Sequence, residues 1–479
     1  MSKPKKVNVD RLRRQFLAGA GALSLYGAGV LTGKAFADSQ NVYIEPKSFS
    51  GPYSYLIETD GTYVWAKDGK TGQVAYGGPS NAGGVSGTNA SAVIQSALNA
   101  LTPNRTWKEK VLLKGNFVIN SPISVPSYTI LETFGRIKLA DQANCYMLKN
   151  SDFANGNIDI EILGGVWDGN GVNQTRNPVT GGYWGHPLYF RNVSKLKVKD
   201  ILIQNPNAWC LRVQQASDVY LHNISLSCPG DTKNEDGIDI LGPASNIIVD
   251  GVFGVTKDNT IALFPDADAS YPWSEGVKGN ISNVIISNVS VKDVPYELIR
   301  FYSGSYEYNV TSVSISDVVG YNVGGLIGSY GSCVVYRCAF NGAVLFLGYS
   351  RSLFYFERDM LYDFNLENIL AYGKSPSGWG STASLIRPSM KNVRLQIGDT
   401  FYYSDKTGTA TFSGDGTTTQ FTIPHGLAGT PKVANVTPAS SDAKGSFYVT
   451  TDATNIYVNY ATAPPAGTNN VVLYWSVSM

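Results

Sequence analysis

Between residues 195 and 320 the apolar positions fall into one recurring pattern. The stretches KLKVKDILI (195–203), DVYLHNISL (218–226), NIIVDGVFG (246–254), NVIISNVSV (283–291) and SVSISDVVG (312–320) each carry apolar residues at relative positions 0, 2 and 5. These are Leu196, Val198 and Ile201 in the first stretch and Val313, Ile315 and Val318 in the last, with starts 23, 28, 37 and 29 residues apart. Near-alternation over so few residues predicts strands, not helices. A second short apolar strand follows in each repeat: CLRV, GIDI, TIAL, LIRF and GLIG. Irregular repeats above 20 residues, with inserts confined to turns, predict stacked parallel strands with one coil per repeat. The fold expected is all-β: a right-handed parallel β-helix over residues 85–400.

Upstream, GTNASAVIQSALNAL (87–101) sets Ile94, Ala97, Leu98 and Leu101 at helical spacing behind Thr88 or Asn89 as N-cap. This predicts a helix that caps the open first coil. Residues 38–84 read as a tyrosine- and turn-rich lead-in. From 405 to 479, short alternating strands such as TATFSG and NVVLYWSV, broken by GDG and PPAG, predict a small antiparallel β-domain of sandwich type. Its expected role is surface attachment or assembly of a homo-oligomer. Residues 1–37 carry Arg13-Arg14, a Gly/Ala-rich apolar run and Ala35-Phe36-Ala37, the pattern of a cleavable twin-arginine export signal. The mature protein is expected to start near Asp38, to work secreted or at the cell surface, and to leave the membrane after cleavage.

A formal charge of +1 with 16% charged residues excludes the concentrated basic face that a nucleic-acid partner needs. The five cysteines are too few for a disulfide scaffold and form no C-x-x-C pair, so they read as small buried hydrophobes. No metal or cofactor is expected from them.

The candidate chemistry emerges when the second strands are aligned on Leu211, Ile238, Ile261 and Ile299. Trp209, Asp236, Asn259 and Glu297 then stack two places earlier. Arg212, Asp239, Ala262 and Arg300 stack one place later and are expected to point outward. The acidic corners NEDGIDILG (234–242) and KDNTIALFP (257–265) become neighbours, with coils about 4.8 Å apart. Two carboxylates on one groove suit glycoside hydrolysis, in which one protonates the leaving oxygen and the other activates water. Crowding of like charges supplies the acid by raising one pKa. The plain alternative is a ladder of Asp and Asn that satisfies turn N–H groups.

The same residues resemble the polygalacturonase type of glycosidase in the pectin-lyase-like superfamily. Asn234-Glu235-Asp236-Gly237 is similar to that family's N-T-D-G, and Asp258-Asn259-Thr260 to its D-D-C, with Glu235 and Asn259 as departures. The family's G-H-G is absent, and of its R-I-K only Arg300 remains. The resemblance implies Asp258 as general acid and Asp236 as a water-activating base. The second base position is Asn259, which takes no proton, and Glu297 is the substitute carboxylate that the stacking offers. Arg300, Arg212, Trp209, Asp239 and Asn234 are the expected substrate-binding residues. Three readings follow: an exported glycosidase on a polysaccharide, a non-catalytic carbohydrate-binding or cell-surface β-helix, and a polysaccharide lyase or depolymerase. Lyases of this fold pair a Ca²⁺-binding acidic set with an Arg or Lys base, which would recruit Asp236, Asp239 and Arg212 or Arg300.

Overall fold

The computed structural model describes residues 52–479 except 177–184, 231–233, 267–277, 358–359, 374–384, 387–388, 398–399 and 428. The segment read as an export signal lies outside the described residues.

The 0-2-5 pattern has a backbone cause. Strict strand alternation would place inward residues at 0, 2 and 4. Instead, the residue at position 4 adopts the left-handed region in every repeat, so the inward sequence resumes at 5. These residues are Asp200, Asn223, Gly251, Asn288 and Asp317, with φ between 54° and 76°. The residue just before position 0 does the same: Lys195, Asp218, Asn246, Asn283 and Ser312, with φ between 54° and 58°. Asn, Asp and Gly adopt this conformation at least cost. Two single-residue corners therefore bend each coil without a loop. Side chains stacked at the corners bond to one another: Asn223 Nδ2 donates to Asp200 Oδ1 (2.6 Å), and Asn246 Nδ2 to Asp218 Oδ1 (2.9 Å).

Strand pairing runs on through these bends. Expected strands consequently merge into long ladders, among them Leu188–Gln204. CLRV and GIDI run on into the next repeat's first stretch in Leu211–Ser227 and Ile238–Val255, LIRF and GLIG continue their own in Ile281–Ser303 and Asn309–Gly331, and TIAL stays separate in Ile261–Asp266. All pairs among them are parallel, with Leu196 beside Val219, Val219 beside Ile247, Ile247 beside Val284 and Val284 beside Val313. The 0, 2 and 5 residues of all five repeats are buried and form one continuous core. The pattern continues into two further coils, through Cys338/Phe340/Ala343 and Phe364/Leu366/Ile369. The solenoid has about nine turns.

The helix spans Ala90–Asn99, with Asn89 as N-cap accepting from the Ala92 N–H. It buries Val93, Ile94, Ala97 and Leu98 over the first coils. Its polar face also serves the coil edge, since Ser91 Oγ accepts from Asn120 N (2.9 Å) and Gln95 Oε1 from Ser124 N (2.8 Å). The lead-in is more ordered than its composition suggests. Tyr55–Thr59, Val64–Asp68 and Val74–Gly77 form an antiparallel meander, and the first of these also pairs in parallel with Glu109–Lys114.

At the other end, Thr400–Tyr403 folds back antiparallel on Ser389–Ile397. Beyond it lie two three-stranded antiparallel sheets, one of Asp405–Gly414, Val433–Pro438 and Gly467–Ser478, the other of Gln420–Pro424, Phe447–Thr451 and Asn455–Tyr460. Phe421, Ile423, Ile456 and Val458 from one sheet, and Val471, Leu473, Trp475 and Val477 from the other, form a core of their own. This is the expected sandwich-like arrangement.

Candidate active site

The second strands keep the register that the sequence suggests. Leu211 pairs with Ile238, Ile238 with Ile261 and Ile261 with Ile299, although residues 264–282 are inserted between the last two. Asp236, Asn259 and Glu297 therefore occupy one column, and Asn259 Nδ2 donates to the Glu297 backbone oxygen at 2.6 Å. None of the three lies in the two corner columns. The corner ladders and the acidic column are separate features, so the simple corner-ladder account does not cover Asp236.

The column one place later differs from expectation. Tyr189, Arg212, Asp239, Ala262 and Arg300 do stack in register, but Arg212 and Asp239 are 0% exposed. They are not on an open outer surface. A layer of rings covers this part of the sheet: His186 stacks on Trp209 (centroids 4.7 Å apart), Trp209 on Phe264 (5.6 Å), and Phe264 meets Tyr302 edge-on (5.6 Å). The Arg212 guanidinium lies 4.4 Å from the Tyr189 ring centroid. Trp209 is itself buried, so it acts as a wall of the site. Asn234 is exposed, in the left-handed conformation at φ 67°.

Three carboxyls share this region. Burial pushes Asp236 well above the usual carboxylate range, the Asp258 charge pushes it further, and Arg300 pulls it back. Asp239 is raised well above that range in the same way, by burial and then by Asp236 and Asp258, against Arg300 and Arg212. Asp258 is raised by burial, opposed by Arg300 and by the Asn259 N–H that its Oδ1 accepts at 3.0 Å. It is the most exposed of the three, at 7% against 3% for Asp236 and 0% for Asp239. Arg300 is the shared cation. Its Nη1 donates to Asn259 Oδ1 (3.2 Å), and its guanidinium packs against Tyr330, Tyr302 and Phe264, at 4.7, 5.3 and 5.7 Å from their centroids.

Glu297 stacks beside Asn259 as expected, but its carboxylate is engaged. Oε1 pairs with Arg351 at 3.2 Å, and Oε2 accepts from the Tyr330 hydroxyl at 2.6 Å. Sequence reading missed both partners. Tyr330 lies three places after Ile327, the next member of the aligned column, and was within reach of the same alignment. Arg351 is 54 residues from Glu297, in an irregular stretch between strands with no repeat pattern to point to it. His186 was also missed. It is buried, and desolvation followed by the nearby Arg212 charge holds its pKa well below the ordinary value, so it is a neutral ring in the aromatic layer. Among the described residues no three His, Cys, Asp or Glu side chains converge to hold a metal ion.

The β-solenoid fold is consistent with the pectin-lyase-like superfamily. Residues 129–268 match the family model described as Glycosyl hydrolases family 28, a span that holds Asp236, Asp239 and Asp258 and stops short of Glu297 and Arg300. No curated protein matches the sequence. Among solved structures, the endo-xylogalacturonan hydrolase of Aspergillus tubingensis aligns at 14% identity and a TM-score of 0.44, covering 66% of this chain and 91% of its own. The hyperthermoactive exopolygalacturonase of Thermotoga maritima aligns at 12% identity and 0.36, covering 62% and 87%. A mutant tailspike protein of E. coli bacteriophage HK620, solved with a pentasaccharide, aligns at 11% and 0.34, covering 84% and 92%.

Proposed function

We propose that the protein is an exported, polygalacturonase-like glycosidase that hydrolyses O-glycosidic bonds of a polysaccharide, with Asp258 as general acid and Asp236 as the base that activates water. The observation that carries this reading is the raised pair beside Arg300. Burial favours a proton on each carboxyl, and the charge of one opposes ionisation of the other, so the two titrate as a unit. With Asp258 protonated, its repulsion of Asp236 is gone; burial, the larger cause, still favours a proton on Asp236 and Arg300 opposes it, so the division of roles follows the resemblance to the family and the greater exposure of Asp258. Asp258, the more exposed of the two, then donates to the leaving oxygen, while Asp236 takes a proton from water. The family match over the coils that carry both residues supports this assignment.

One observation favours a second reading, a groove that binds polysaccharide without cleaving it. Asn259 replaces a carboxylate and its amide is committed to Glu297 and Arg300, while Glu297 is committed to Arg351 and Tyr330. The site then has one base in place of two.

An assay against a polysaccharide panel separates the readings. New reducing ends without unsaturated products are expected from the wild type. Asp258→Asn and Asp236→Asn should each lose ~10²–10⁴ in turnover with the fold retained. Full activity in both variants would sink the assignment, and retention without cleavage by the wild type would select the binding reading. Export has its own test: Arg13→Lys with Arg14→Lys should leave unprocessed precursor in the cytoplasm, and normal secretion would remove the twin-arginine claim.

A further inference from the structure

We propose that Cys210 and Cys228 are the two halves of a disulfide that fastens the coil beneath the acidic corner. Their Sγ atoms face each other at 3.4 Å, and both residues are wholly buried. Cys210 precedes the strand Leu211–Ser227 and Cys228 follows it. The coil between them turns around the core and brings its ends together inside the solenoid. A disulfide needs an S–S distance near 2.05 Å, so about 1.4 Å of approach remains, a small movement for two facing side chains.

Both backbones are already pinned to the next coil. The Cys210 N–H donates to Asp236 O (2.9 Å) and the Cys228 N–H to Val255 O (3.1 Å). The connection that leaves Cys228 carries Glu235 and Asp236 before it enters the next strand at Ile238. A bond here would therefore fix both ends of one coil and the departure point of the acidic turn. Two small apolar side chains would fill the same space, but they would have no reason to place two sulfurs in contact.

The chemistry balances as thiol–disulfide exchange with a small disulfide such as oxidised glutathione. One cysteine thiolate attacks it and releases one glutathione thiol. The second cysteine then displaces the other, so two S–H bonds are lost and two reduced glutathiones leave. Burial, and then the neighbouring Cys228, push the Cys210 thiol well above its ordinary range. Exchange within the closed coil is consequently slow, and the bond forms as the coil closes during folding.

The test uses the full chain and does not depend on catalysis. Protein refolded with oxidised glutathione and digested without reduction should yield a peptide joining Cys210 to Cys228, about 2 Da lighter than its two parts. Denatured without reductant, that sample should keep three titratable thiols, those of Cys145, Cys333 and Cys338. Reduction with dithiothreitol should lower the melting temperature, because a closed loop restricts the unfolded chain. Cys228→Ala, refolded in the same way, should give no joined peptide and melt where reduced wild type melts. Five titratable thiols after oxidation, a bond joining any other pair, or a melting temperature indifferent to reduction would overturn the proposal. Should the variant fail to fold, the wild-type peptide map and thiol count still decide.

Discussion

Asp239 lies opposite Arg212 in register, wholly buried, and neither of its oxygens accepts a hydrogen bond from the described residues. A carboxyl in that position resists ionisation, and this makes folding depend on pH. In the unfolded chain it ionises near its ordinary value of about 3.9, whereas in the folded chain it holds its proton to higher pH. Stability from this source is complete below the unfolded value and is lost as pH rises towards the folded one. Asp236 and Asp258 act with the same sign. The wild-type melting temperature should thus fall as pH rises above about 4, and Asp239→Asn should flatten that slope; parallel profiles for the two proteins would refute the account. Glu297 invites a different substitution. Glu297→Gln deprives Arg351 of its charged partner and should cost about 1–2 kcal/mol in a denaturant melt. Because that carboxylate is already engaged, turnover should fall less than tenfold; a loss as large as that of Asp236→Asn would restore Glu297 as a base. The stacking of Asp236, Asn259 and Glu297 was legible from strand alignment, since one inward residue fixes the register of its neighbours. Which carboxylates are free was not legible, because Arg351 and Tyr330 come from other coils.

The repeating unit is better described by its corners than by its strands. Residues before position 0 and at position 4 hold a conformation that costs most residues about 1–2 kcal/mol. Asn246 shows what is at stake: φ is 57°, and its side chain donates to Asp218 and accepts from Asn283. Asn246→Val should destabilise by about 2 kcal/mol or more, from strain together with two lost ladder bonds, whereas Asn246→Gly should recover the strain component. Chemical denaturation of the pair checks this, and equal costs would mean that the corner is unstrained. The interval from 2 to 5 was visible in the sequence and was enough to predict coils. The fusion of expected strands into long ladders was not visible, because a one-residue bend leaves hydrogen bonding intact on both sides and carries no loop to announce it. The outward column failed for a related reason: alternation tells which side of a strand a residue leaves, but not what other chain segments lie over it. Hence Arg212 and Asp239 were placed on the correct face and given the wrong exposure.

At the scale of the molecule, the terminal sandwich is expected to be separable. Its core draws on residues 421–477, and the hairpin of Ser389–Ile397 with Thr400–Tyr403 already covers the last solenoid edge. A chain ending at Lys406 should keep cooperative melting of the β-helix; its loss would show that the sandwich is integral, as in an interlocked oligomer. The solenoid also carries a consequence for how such a protein diversifies. Its corners recur at fixed positions while the coils between them vary from 23 to 37 residues, and the longest coil carries its extra residues, in sequence, just after the strand that follows Asn259. The scaffold keeps its reading frame at the bends and leaves length unregulated between them. Descendants of this chain can therefore exchange whole turns between the bends without renegotiating a single layer of the core.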